Sequence, residues 1–82
     1  MRARWDGDDP NTDLVMYTAD CGWVYMGWVE AAKPDGFCVF CCWLNTGDYP
    51  EGKIFDTAKQ ARKALKSAAT VAIIGGFRGF NA

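Results

Sequence analysis

The sequence predicts an α+β fold: a three- to four-stranded antiparallel sheet with one helix packed on one face, in the order βββα, or βββαβ if a short last strand forms. Three observations predict it. Residues 14–45 are rich in β-branched and aromatic side chains and are cut by two turn signatures. Residues 57–69 open with a helix start signal and place apolar side chains three and four apart. The 82 residues make one domain, 1–82, with a core just large enough to fold unaided.

Positions 1–13 are rich in aspartate and interrupted by Pro10, which reads as an irregular lead-in with Trp5 as its only anchor. Two turns follow. In Lys33-Pro34-Asp35-Gly36 proline stands second and glycine last, the chemistry of a type I turn closed by a glycine bulge, and Ala19-Asp20-Cys21-Gly22 has a similar shape. They divide the middle region into strands near 14–19, 23–31 and 37–45. Three-residue loops pair Ala19 with Trp23 and Lys33 with Phe37. That register places Leu14, Met16, Val24, Met26, Trp28, Cys38, Phe40, Cys42 and Leu44 on one face, and Val15, Tyr17, Trp23, Tyr25, Val29, Val39, Cys41 and Trp43 on the other. It also sets Trp43 opposite Gly27, where a large ring covers a residue with no side chain.

After the loop NTGDYPEGK, Thr57 and Gln60 form a capping box, and Ala58, Ala61, Leu65, Ala68 and Ala72 make one apolar stripe. Because the stripe is nearly all alanine, the helix can lie close to the sheet, on the side of Met16, Met26, Phe40 and Leu44. Val71 to Ile74 is a strand candidate, ended by two glycines and followed by a tail carrying Phe77 and Phe80.

The inventory of side chains restricts chemistry. There is no histidine and only one serine, Ser67, which excludes a serine triad and a histidine proton relay. No catalytic residues are expected, the chain reads as a binding protein and not an enzyme, and no cofactor is implied. No apolar run approaches the ~18 residues of a membrane span, and MRARWDGDDPNTD lacks the apolar stretch of a signal peptide. The expectation is a cytoplasmic protein with reduced thiols and no membrane partner.

The four cysteines include the cluster Phe37-Cys38-Val39-Phe40-Cys41-Cys42-Trp43. Tetrahedral zinc needs four converging ligands, whereas one Cys-x-x-Cys on an extended backbone points its two thiols to opposite faces. A redox pair would need its first thiol at a helix amino terminus. The cysteines are expected to be small apolar fillers, with no metal site.

Charge is polarised along the chain. Residues 5–51 carry nine carboxylates against Lys33 alone, a net of −8, while residues 53–66 carry five cations against Asp56, a net of +4. One helix covers only one face of such a sheet, so the aromatics of the other face need a cover. The tail with Phe77 and Phe80, the Trp5 segment, a second copy of the chain in a homodimer and a foreign partner are the candidates. A foreign partner would dock on Tyr17, Trp23, Tyr25 and Trp43 for affinity, with Asp20, Asp35, Asp48 and Glu51 steering a basic surface towards them. The alternative is nucleic-acid binding through the sheet and the basic helix face of Lys59, Arg62, Lys63 and Lys66.

Two resemblances bear on this choice. Over about residues 23–69, three strands followed by a helix that opens FDTAKQARKAL, with Phe55 and Thr57 at its entry, resemble the arm-type DNA-binding modules at the front of phage integrases. That resemblance implies the nucleic-acid alternative. In size and acidic polarity the chain is also similar to the small inhibitors of phages and mobile elements, anti-CRISPR proteins among them. This second resemblance implies a non-enzymatic phage protein, in the host cytoplasm, that docks on a larger protein or nucleoprotein complex and blocks it sterically.

Overall fold

Alternation of inward and outward side chains runs through more of the chain than its middle third. The computed structural model describes residues 2–32, 35–44, 50 and 53–79. It has strands β1 (Ala3–Asp6), β2 (Thr12–Thr18), β3 (Gly22–Ala31) and β4 (Phe37–Cys41), then one helix, α1 (Ala58–Ile74). The strands form one antiparallel sheet in the order β1-β2-β3-β4, and α1 packs on β3 and β4. The α+β class with one helix on one face is as the sequence predicts, but the fourth strand precedes the meander. It lies within the lead-in expected to be irregular, where Ala3 and Trp5 alternate with Arg4 and Asp6 and pair with β2. Among the described residues no helix is long and apolar enough to cross a membrane.

The register corrects the predicted faces. The first hairpin pairs Tyr17 with Trp23 and Thr18 with Gly22, and the second pairs Ala31 with Phe37. The predicted pairings of Ala19 with Trp23 and Lys33 with Phe37 are thus each displaced by two positions, which preserves the face of every residue. What reverses faces is a β-bulge: Val15 opposes Tyr25 but Leu14 opposes Gly27, so β3 carries one extra residue. Beyond it Val29, Val39 and Cys41 turn towards the helix, while Trp28, Cys38 and Phe40 turn away. Gly27 sits opposite Cys41, not Trp43. Its φ of 152° belongs to glycine, and a Cβ there would stand 2.1 Å from the carbonyl oxygen of Phe40. Close backbone approach, not a covering ring, is what this glycine provides.

Thr57 caps α1 as its spacing predicts: its hydroxyl accepts from the Gln60 amide at 3.1 Å, and the Gln60 side chain accepts from the Thr57 amide at 3.3 Å. Ala61, Leu65, Ala69 and Ile73, four apart, are the buried residues of the helix. They close a core with Leu14, Met16, Val24, Met26, Val29, Val39 and Cys41. Ala68 and Ala72 pack at its edge, so the stripe is rotated slightly from the predicted one.

Val71 to Ile74 is helix, not strand. The four-residue spacing continues through Ile73, and the chain stops in a Schellman arrangement: the Phe77 amide donates to Ala72 O and the Gly76 amide to Ile73 O, both at 3.0 Å, with Gly76 at φ 109°. β-Branched residues form helix here because packing and a glycine stop outweigh a preference worth a few tenths of a kcal/mol each.

Candidate interaction surface

The bulge and the single helix leave one face of the sheet without a covering element among the described residues. On it, in cross-strand rows, lie Arg2, Tyr17 and Trp23; Arg4, Val15 and Tyr25; Asp6, Asp13, Trp28 and Phe40; then Glu30 and Cys38. Of the chain's own proposed covers, two lie elsewhere. Trp5 and Phe77 pack against the core on the helix side, and Phe80 lies outside the described residues. Tyr17 and Trp23 are each 38% exposed and Tyr25 43%, large values for rings of this size.

These rings hold one another in place. Tyr17 meets Trp23 edge to face at 5.5 Å, and Trp28 stacks on Phe40 at 4.8 Å. The guanidinium of Arg2 lies 5.2 Å from the Tyr17 ring centre and 5.3 Å from that of Trp23, and Arg4 lies 4.8 Å from Trp23. The carboxylates are engaged too. Arg4 forks Asp6 at 2.9 and 3.1 Å, the Tyr25 hydroxyl donates to Asp13 at 3.2 Å, and the Trp28 indole N–H donates to Glu30 at 2.7 Å. Burial and the adjacent Asp13 carboxylate push the Tyr25 hydroxyl above its ordinary range, which keeps it a donor.

The structure gathers only part of the residue set expected from sequence. Tyr17, Trp23 and Tyr25 share the open face. Trp43 does not: it stands on the helix side, its ring 5.8 Å from Phe77, and with Leu44, Phe55, Ala68 and Val71 it lines an apolar cavity of about 870 Å³. Asp20, in the first hairpin, binds Arg78 Nε at 3.0 and 3.1 Å; that contact, together with backbone hydrogen bonding, holds its carboxyl below the ordinary value. Arg78 in turn donates to Ile73 O and Phe77 O at 2.8 Å, so one guanidinium caps the helix and clasps the hairpin. Asp35 is exposed in the second turn, and Asp48 and Glu51 lie outside the described residues.

Sequence reasoning missed Trp28, Phe40, Glu30, Asp13, Arg2 and Arg4 on this face. A glycine inside a strand pattern, Gly27, was the signal for the first three; the alternation Arg2-Ala3-Arg4-Trp5-Asp6 was the signal for the arginines. Of the basic helix residues, Lys59, Lys63 and Lys66 are exposed, whereas Arg62 is paired with Asp9 across to the β1–β2 connection.

The thiols follow strand geometry. Cys38 faces the open side and Cys41 the core, and Cys42 donates to Tyr25 O at 3.1 Å. Burial pushes the Cys41 thiol up to about 12 and raises that of Cys42. Among the described residues no three cysteine or carboxylate side chains converge as metal ligands do.

Comparison with protein-family models, curated proteins and solved structures found no match to this chain.

Proposed function

We propose that this chain is a small binding protein that docks on a larger protein or nucleoprotein complex through the open face of its sheet and blocks that partner sterically, as a phage-type inhibitor would. The supporting observation is the uncovered aromatic cluster of Tyr17, Trp23, Tyr25, Trp28 and Phe40, braced by its own hydrogen bonds and cations. Trp, Tyr and Arg are the residue types that dominate binding energies, and rings already fixed in place lose little freedom on docking. Asp13 and Glu30, among the rings, and Asp35 at the turn favour a basic partner surface.

The test compares two sets of substitutions in affinity capture from lysate and in nucleic-acid binding at two salt concentrations. Trp23→Ala with Tyr25→Ala is expected to abolish capture of partners that Lys59→Glu with Lys63→Glu and Lys66→Glu retains. The reverse pattern, with nucleic-acid affinity that falls steeply with salt, would instead establish the basic helix as the working surface.

A further inference from the structure

Resting on the reading of the open face as the docking surface, we infer that the face recognises guanidinium groups, so that the side chains a partner inserts there are arginines. The chain contains one complete example of the arrangement. Arg4 lies over the Trp23 ring at 4.8 Å and forks both oxygens of Asp6 at 2.9 and 3.1 Å. A guanidinium held over a ring while two of its N–H groups fork a carboxylate is an arrangement that arginine satisfies and lysine does not.

The same face repeats the ring and carboxylate twice more. The Tyr25 hydroxyl fixes one oxygen of Asp13 at 3.2 Å, and the Trp28 indole fixes one oxygen of Glu30 at 2.7 Å. Each carboxylate has a second oxygen that can accept a further hydrogen bond. Among the described residues no cation pairs with Asp13 or Glu30; the ion pairs are Arg4 with Asp6, Arg62 with Asp9 and Arg78 with Asp20. Asp6 and Asp13 moreover stand directly opposite across β1 and β2, an unfavourable placing of like charges that Arg4 relieves on one side only. A partner guanidinium over Tyr25 relieves it on the other. Arg2, over Tyr17 and Trp23 at 5.2 and 5.3 Å, shows that one further ring of this face, Tyr17, accepts the same group.

The experiment is fluorescence anisotropy of labelled octa-arginine and octa-lysine peptides with the parent protein, Asp13→Asn and Glu30→Gln at physiological salt. Circular dichroism verifies that each variant is folded, and both substitutions keep an oxygen for the ring's hydrogen bond. The parent is expected to prefer octa-arginine by about ten-fold, and each substitution to weaken octa-arginine about two- to five-fold while narrowing the preference. Equal affinity for the two peptides, no binding of either, or a preference unchanged in both variants would overturn the inference. If those results came with loss of lysate capture by Trp23→Ala and Tyr25→Ala, the docking surface would stand and only arginine recognition would fall.

Discussion

On the helix side of the sheet Leu14, Met16, Met26, Val29 and Val39 are wholly withdrawn from water beneath Leu65 and Ala69, while on the opposite side Tyr17, Trp23 and Tyr25 each keep more than a third of their surface in solvent. The same strands carry both sets. The covered side is cohesive because burial of each large aliphatic side chain contributes about 1.5–3 kcal/mol. The open side is ordered by ring contacts and charge-assisted hydrogen bonds that contribute far less in water. If the open side is the docking surface proposed above, stability and recognition occupy opposite surfaces, and a substitution should disturb one with little effect on the other.

The largest expected effect breaks both sides together. Gly27→Ala puts a Cβ 2.1 Å from a backbone carbonyl at a positive φ, and backbone strain with overpacking is expected to destabilise the chain by about 3 kcal/mol or more, read as loss of a cooperative urea transition. Next comes a paired comparison. Leu65→Ala, at a fully buried position, is expected to lose about 2–5 kcal/mol. Trp23→Ala should change stability by about 1 kcal/mol or less while removing partner binding; equal destabilisation by the two would erase the distinction between the faces. Thr57→Ala removes a cap of the covering helix and should cost about 1 kcal/mol in the same assay.

The smallest effect concerns acid. Arg78 and backbone hydrogen bonding depress the Asp20 carboxyl below its ordinary 3.8, so the folded state binds fewer protons there than the unfolded chain. That contribution is complete above the unfolded value and is lost as pH falls through the lower folded one. Asp20→Asn should therefore lower stability slightly at neutral pH and flatten the acid limb of the profile, the difference from the parent fading as pH falls below about 4.

Local chemistry explains which features could be read from sequence. The capping box at Thr57 and Gln60 and the two hairpins each depend on a few adjacent residues, and each appears in the structure, whereas the glycines after Ile74, expected to end a strand, end the helix. The assignment of faces depends on counting residues along β3, and one extra residue at the bulge reverses everything after it. Hence Tyr17, Trp23 and Tyr25, before the bulge, lie on the expected face, while Trp28, Phe40, Val29 and Val39, beyond it, exchange places. Trp43 follows the end of β4 and is placed by contact with Phe77, a partner distant in sequence. β1 was hidden because a four-residue strand among aspartates, followed by Gly7 and Pro10, has the composition of a loop. No local signal marks it except alternation.

The bulge has a consequence for how this chain tolerates insertion and deletion. Removing one residue at Met26 or Gly27 would restore strict alternation and drive the indole of Trp28 and the ring of Phe40 beneath the helix while expelling two valines into water. A frame slip of one position in the middle of β3 is thus a more drastic edit than replacing any single side chain on the exposed surface, and length variants of this protein should be confined to its turns.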